Sequence, residues 1–196
     1  YDNQKRLFPM LMGVQTLSNG ISVSRLITHL SIHDNADIAI GKLGAARDGN
    51  AKEVDCEFAP IFILSFKKLN ASDEIAAFGY PRTAKAIDGK LVTFNFTGKW
   101  SKGLIQDFHE DGSPLVRNRC YQTSMLIDTG ASGGPVIKDN FVVGINSSGV
   151  ELFEDEEPLS FITPIDYVLD LNVYVDEVNL ASVKDLVKAG HIKSHH

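Results

Sequence analysis

Short runs of alternating or β-branched residues, separated by polar turns, make up most of the chain before residue 164. The clearest alternation is at 91–96, where Leu, Thr and Asn alternate with Val and Phe, a pattern typical of a strand with one buried face. Asp139-Asn140 lies between two apolar runs and predicts a two-residue hairpin turn. The strands predicted from such runs are 11–14, 21–32, 37–43, 58–66, 75–80, 91–96, 104–108, 115–125, 136–137 and 141–145.

Helical patterning is confined to the end of the chain. Thr163 followed by Pro164 predicts an N-cap and a first turn, which open a short helix running through Leu171. A capping-box spacing starting at Ser182 predicts a second helix that ends at Gly190. Many short strands with helix only at the end therefore predict an all-β fold, a barrel or a sandwich.

Polar stretches interrupt the strand pattern and divide the chain. Those at 44–56, 67–74 and 82–90 are predicted to be loops, and 67–74 is the best boundary between two halves. Since the chain begins at Tyr1 and ends in two histidines, we expect it to be a piece of a longer polypeptide.

Composition narrows the classes of function. The 196 residues include 43% hydrophobic and 22% charged residues, as in an ordinary globular protein. A formal net charge of -6 argues against a nucleic-acid-binding surface, and no apolar run approaches the length of a membrane span. Cys56 and Cys120 cannot form a disulfide framework, although they could form one bridge. This low cysteine count slightly favours the cytoplasm over secretion and leaves the compartment open.

The segment 127–136 carries the strongest chemical signal. Ser132 stands between glycines in a turn that is flanked by apolar runs. The glycines permit backbone angles closed to other residues and keep the hydroxyl accessible. A tight turn of this kind also directs successive backbone N–H groups into one concavity, where a developing oxyanion could be bound. The pattern therefore predicts a serine nucleophile. The alternative interpretation is a glycine-rich hairpin loop with no catalytic role.

Several pieces, in order along the chain, resemble a trypsin-like serine peptidase of the chymotrypsin fold, nearer the bacterial and viral branches than the disulfide-rich animal enzymes. The segment 37–40 resembles the aspartate motif, and 79–81 resembles the start of the second barrel. The segment 129–135 resembles the nucleophile loop, 143–149 the strand that pairs with substrate, and 161–165 the last strand before the terminal helix.

The resemblance implies two six-stranded antiparallel Greek-key barrels, the first incomplete at its N-terminus, followed by short C-terminal helices. Residues 1–70 would be the C-terminal part of the first barrel, and 71–171 the second barrel with its terminal helix. Residues 172–196 would be a C-terminal extension, connecting to a further domain or regulatory partner, or to a tag.

The resemblance also assigns roles to single residues. Ser132 would attack peptide bonds of a protein or peptide substrate, and Asp37 would be the buried carboxylate that orients a catalytic histidine. The N–H groups of Gly130 and Ser132 would form the oxyanion hole. The backbone of 147–149 would bind substrate as an added strand. Ser147, Ser148 and Gly149 would thus bind the substrate backbone, while Leu126 would form the floor of the specificity pocket, with Gly149 and Ser160 in its wall.

No histidine stands where the family has its catalytic one. The six are His29, His33, His109, His191, His195 and His196. We expect the base upstream of residue 1, together with the missing first strands. Two alternatives are an inactive trypsin-like scaffold that binds a peptide or partner, and His33 as an unusual base.

Two further expectations concern regulation and cofactors. Ala131 stands where the animal enzymes carry an aspartate that pairs with a newly cut N-terminus, so the site is expected to be preformed, or switched by a partner or domain movement. A metal site using His29, His33, Asp34 and Asp37 is disfavoured, because residues four apart in a strand lie over about 13 Å from each other. No cofactor is expected.

Overall fold

The structure, a computed structural model, describes residues 12–17, 21–56, 62–81, 83–89, 91–150, 159–176 and 178–195. None of the helices in these ranges is long and apolar enough to cross a membrane. The predicted all-β class is confirmed, since strands dominate and the helices are few and short.

A closed six-stranded antiparallel barrel holds the principal core. Around the barrel the order is β10, β5, β8, β9, β12 and β11, and β11 pairs back with β10. Strand residues alternate between the inside and the outside; in β5, for example, Ile75 and Ala77 point inward and are buried. The bounds are β5 Glu74–Gly79, β8 Lys99–His109, β9 Cys120–Thr123, β10 Pro135–Lys138, β11 Phe141–Val150 and β12 Leu159–Pro164.

A separate three-stranded antiparallel sheet precedes the barrel. It consists of β1 Met12–Thr16, β2 Ser22–Ile32 and β3 Ala39–Arg47, with β2 in the middle. Several large apolar side chains of this sheet are exposed: Val14, Leu26, Ile32 and Leu43. Three strands are too few to close a barrel, so within the described residues this sheet stays open.

Shorter elements complete the chain. The remaining strands are β4 Ile63–Ser65, β6 Ala84–Asp88, β7 Leu91–Asn95, β13 Asn172–Tyr174, β14 Leu180–Ser182 and β15 Ser194–His195. A 3₁₀ helix spans Ile165–Asp170, and α1 spans Val183–Lys188. Both helices contribute to a second core cluster with Ile38 and Val142, which links the open sheet to the barrel.

Several local predictions hold and others need correction. Asp139 and Asn140 have φ of 51° and 68°, which confirms the hairpin turn between β10 and β11. The predicted loop at 82–90 is wrong, because Ala84–Asp88 pairs with Leu91–Asn95. The predicted strand at 115–125 is confirmed only for Cys120–Thr123, and that at 58–66 only for Ile63–Ser65, with 57–61 outside the described residues.

The N-cap predicted at Thr163 is also wrong. Pro164 occupies the cap position of the 3₁₀ helix, with no side-chain hydrogen bond to the helix. Thr163 is instead fully buried in β12, where its hydroxyl makes tertiary hydrogen bonds. A local sequence pattern cannot distinguish these two uses of a threonine hydroxyl.

Candidate active site

Ser132 lies at the tip of a tight turn between the barrel core and β10. Gly130 and Gly133 on either side have φ of 90° and 82°, in the left-handed region that favours glycine. The Ser132 side chain is exposed, and its Oγ donates a weak hydrogen bond to the carbonyl oxygen of Ser147 at 3.4 Å. The hydroxyl is therefore accessible to a substrate.

Backbone donors in this turn follow a distinctive pattern. Ala131 N–H donates to Asp128 O at 3.0 Å, Gly133 N–H to Asn146 O at 2.8 Å, and Gly134 N–H to Ala131 O at 3.1 Å. The N–H groups of Gly130 and Ser132 have no acceptor within the described part of the chain. Two donors close to the hydroxyl thus remain free to bind an anionic oxygen.

Ser147 owes its position to a β-bulge. The pairing of β11 with β12 shifts register between Asn146 and Ser148, so the carbonyl of Ser147 is released toward Ser132. On the other edge, the pairing of β11 with β10 ends at Ile145. Residues 147–149 therefore have an edge with no strand partner among the described residues, and a peptide could add there.

Asp37 lies in the turn immediately before β3. Its backbone N–H donates to Asn118 Oδ1 at 3.1 Å, which fixes this turn against the barrel. The Asp37 side chain is exposed and, with Ser147 and Ser148, lines an open cavity of about 700 Å³. The carboxylate and the Ser132 hydroxyl thus flank the same short segment of β11, although the carboxylate is not buried by the described residues.

A buried polar network connects these segments and was not foreseen in the sequence. Asn118, which is 6% exposed, donates through Nδ2 to Thr163 Oγ1 at 3.2 Å. Thr163 Oγ1 and Ser147 Oγ share a hydrogen bond of 2.6 Å. Asn118 therefore joins the turn of Asp37 to the bulge of Ser147, and only the tertiary fold reveals this role.

No histidine of the described chain makes a hydrogen bond to the Ser132 hydroxyl. The ring of His33 packs edge-on against Tyr167 with centroids 4.9 Å apart, and its Nδ1 accepts the Asn35 N–H at 3.1 Å. The ring of His29 lies 4.3 Å from that of Tyr174. His29 and His33 therefore have separate partners, and the described residues include no group of three or more metal-ligating side chains placed to hold a metal ion.

Gly149 and Ser160, the expected wall residues of the specificity pocket, lie against each other and against Ile127. Ser160 is fully buried, and its Oγ accepts the Ile127 N–H at 3.2 Å. A Cβ added to Gly149 would lie 2.7 Å from Ile127 O and 3.0 Å from Ser160 Oγ. Leu126 is half-buried at the start of this segment. The gap between 127 and 149 is consequently narrow.

Both cysteines are free thiols. Arg25 Nη2 donates to Cys56 Sγ at 3.2 Å, while Cys120 lies in the core and burial raises the pKa of its thiol. The single bridge that the sequence permits is therefore absent between these two described residues.

The sequence matches the model of one known protein family. The model of the trypsin family matches residues 11–171. No curated protein sequence matches the chain.

Solved structures share the fold at low identity. An HtrA-type protease, AlgW, solved with a decapeptide, is 16% identical with a TM-score of 0.53, over 91% of this chain and 44% of that chain. The inactive form of a mutant Rv3671c from M. tuberculosis is 14% identical with a TM-score of 0.47, over 76% of this chain and 66% of that chain. A mutant of human heparin binding protein is 12% identical with a TM-score of 0.46, over 74% of this chain and 63% of that chain. The chain thus spans less than half the length of the first structure.

Proposed function

The chain belongs to the trypsin family, and we propose that it is a serine endopeptidase, nearer the bacterial and viral branches, that cleaves peptide bonds through an acyl-enzyme on Ser132. One observation carries the proposal. The exposed hydroxyl of Ser132 lies in a turn whose flanking N–H groups at Gly130 and Ser132 are free in the described chain, whereas those of Ala131, Gly133 and Gly134 are bonded. This arrangement suits a nucleophile beside an oxyanion hole.

The proposed reaction has two halves. Ser132 Oγ attacks the carbonyl carbon while its proton passes to an imidazole, and the carbonyl oxygen becomes an oxyanion bound by the N–H groups of Gly130 and Ser132. The imidazolium then protonates the leaving amine, and the ester that remains on Ser132 is hydrolysed by water. Each oxyanion donor contributes roughly 3 kcal/mol to the stability of the transition state.

The base in this mechanism is proposed to be a histidine upstream of residue 1, oriented by Asp37. The open cavity of about 700 Å³ beside Asp37, Ser147 and Ser148 supports this, because it has room for an imidazole next to both the carboxylate and the segment that contacts Ser132. An imidazole placed there would also shield the Asp37 carboxylate from water, which strengthens their hydrogen bond.

The substrate is proposed to bind as an extended peptide along 147–149. This edge of β11 has no strand partner in the described residues, and main-chain hydrogen bonds to an added strand give affinity without demanding one sequence. The peptide-bound HtrA-type protease with the same fold supports a peptide substrate.

The narrow gap at 127 and 149 supports specificity for a small or apolar residue before the cleaved bond. Leu126 carries no charge to bind lysine or arginine, and the close approach of Gly149 to Ile127 O leaves little width between these two segments. A peptide library is expected to yield cleavage after small apolar residues; strict cleavage after basic residues would reject this specificity.

A second candidate function is an inactive scaffold that binds peptides along the same edge. It is favoured by one observation, the lack of any histidine hydrogen bond to the Ser132 hydroxyl within the described chain. The two functions share a binding edge and differ in whether a peptide bond is cleaved.

Hydrolysis of a peptide library by the full-length protein decides between them. We expect cleavage that Ser132→Ala abolishes and Asp37→Asn lowers by about 10⁴-fold, the size of effect for a lost orienting carboxylate. Ser24→Ala is the matched control, because within the described residues that hydroxyl makes a single hydrogen bond, an exposed one to Arg47 O. Peptide binding without cleavage, unchanged in Ser132→Ala, would overturn the endopeptidase and favour the scaffold.

A further inference from the structure

One ion pair ties the N-terminal half of the nucleophile turn to the barrel. Lys99 Nζ at the start of β8 donates to Asp128 Oδ2, and Asp128 O accepts the N–H of Ala131 at 3.0 Å. Thr129 and Gly130 make no hydrogen bond with any described residue. Asp128 is therefore the point at which this half of the turn is held.

The C-terminal half is held quite differently. Gly133 N–H donates to Asn146 O at 2.8 Å, and Asn146 N–H donates to Gly134 O at 2.9 Å, so this half is fixed to β11 by paired backbone bonds. Asn146 Nδ2 also donates to Ala131 O at 3.3 Å. Loss of the Lys99–Asp128 pair would therefore loosen the segment that carries Gly130 and leave the remainder anchored.

The ion pair lies directly behind the turn. Lys99 is paired with Gly79 across β5 and β8, and Gly79 packs against Ala131 so closely that an added Cβ would lie 2.8 Å from Ala131 Cβ. Lys99, Asp128 and Ala131 line a cavity of about 10 Å³, which has room for one water molecule at most. The two side chains are 40% and 23% exposed, so solvent screens their attraction only in part.

Both charges of this pair belong to side chains of the described residues, the carboxylate to Asp128 and the ammonium to Lys99 of β8. The pair therefore forms when the chain folds and needs no cleavage of the backbone.

We infer that Lys99 and Asp128 are positioning residues, whose ion pair holds the 128–132 turn with the N–H groups of Gly130 and Ser132 free for an oxyanion. The inference rests on the proposed function, because the turn matters for rate only if Ser132 is acylated. It predicts that activity does not require a cut N-terminus.

The test compares Lys99→Met and Asp128→Asn with wild type in the full-length protein. Because the oxyanion forms only in the transition state, we expect kcat to fall about 10- to 100-fold while KM changes less than about threefold. Lys99→Arg keeps the cation and is expected to restore kcat to within about threefold of wild type. Lys102→Met is the matched control, since Lys102 is an exposed lysine on the opposite face of β8.

Hydrogen exchange of the backbone amides at 129–134 separates failure of the inference from failure of the proposed function. In Lys99→Met we expect faster exchange than in Lys102→Met at the Ala131 N–H, which is bonded to Asp128 O, with exchange at Gly133 and Gly134 unchanged, whether or not the protein cleaves peptides. If the wild-type protein cleaves no peptide and the variants show this exchange pattern, the proposed peptidase function is refuted, but the ion pair still positions the turn. The inference would be overturned if Lys99→Met and Asp128→Asn both kept the wild-type kcat and the wild-type exchange. It would also be overturned if kcat fell equally in Lys99→Met and Lys102→Met.

Discussion

Gly79 on β5 has no room for a side chain, because a Cβ there would lie 2.8 Å from Ala131 Cβ and 3.0 Å from Ala131 Cα. The second of these atoms is backbone and cannot rotate away. Since Ala131 directly precedes the nucleophile, Gly79→Ala is expected to displace the turn and lower kcat/KM by about tenfold or more. Overpacking of this kind should also lower the free energy of unfolding by roughly 1–3 kcal/mol.

Gly49→Ala is the control for this substitution, because nothing lies within 4 Å of a Cβ added at Gly49. We expect near wild-type kcat/KM and stability there, measured by peptide hydrolysis and urea unfolding. Equal activity in the two variants would show that the contact between Gly79 and Ala131 does not constrain the nucleophile turn.

Asp176 offers a pH-dependent test at a single residue. Its carboxylate accepts hydrogen bonds from the Asn179 side chain at 2.7 Å and from the N–H groups of Val178 and Asn179, and these lower its pKa from 3.8 to about 2. Because the folded pKa lies below the unfolded one, the ionised carboxylate stabilises the folded state above about pH 4, and that contribution is lost as the pH falls through about 2.

An NMR titration of Asp176 measures this shift directly. In wild type the midpoint is expected at about 2, and Asn179→Ala should raise it toward 3.8, since the Asn179 side chain is the leading cause. A midpoint that stays at about 2 in Asn179→Ala would assign the shift to the backbone donors instead.

At the scale of elements, Asn118 joins the turn before β3 to β12 and, through Thr163, to the bulge in β11. Asn118→Ala leaves the Asp37 N–H and the Thr163 hydroxyl without this buried partner. We expect the free energy of unfolding to fall by about 1–3 kcal/mol, the usual cost of leaving a buried polar group unsatisfied. Urea unfolding, with the exposed Asn50→Ala as control, provides the measurement.

The same substitution should disturb the site before it unfolds the protein. Because Asp37 and Ser147 are held by Asn118 and Thr163, a lower kcat/KM is expected in Asn118→Ala under conditions where the variant remains folded. If Asn118→Ala has the same free energy of unfolding and the same kcat/KM as Asn50→Ala, the buried network does not position the site.

Elements with a buried face were the ones that the sequence could predict. β5 and the hairpin of β10 and β11 follow from apolar alternation and from the turn pair Asp139-Asn140. The alternation at 91–96 predicted β7, but its partner β6 was missed, because every side chain of Ala84–Asp88 is exposed and leaves no periodic signal. The bulge at Ser147 was also missed, since it arises from the register of β11 against β12.

At the scale of the whole molecule, the two halves of the chain meet at Ser147. Asp37 comes from the open three-stranded sheet and Ser132 from the closed barrel, and both flank the same short segment of β11. The glycine pattern around Ser132 and the family resemblance at 37–40 predicted these two as site residues, and their catalytic roles stay predictions. Lys99, Asp128, Asn118 and Thr163 could not be identified in this way, because their roles depend on partners distant in sequence.

Labelling of the full-length protein with a fluorophosphonate, followed by mass spectrometric mapping of the adduct, tests the central claim most directly. A nucleophile activated as proposed should give one adduct, on Ser132, that is lost in Ser132→Ala and strongly reduced in Asp37→Asn. A folded full-length protein that carries no adduct on Ser132, or carries it on a different serine, would contradict the account.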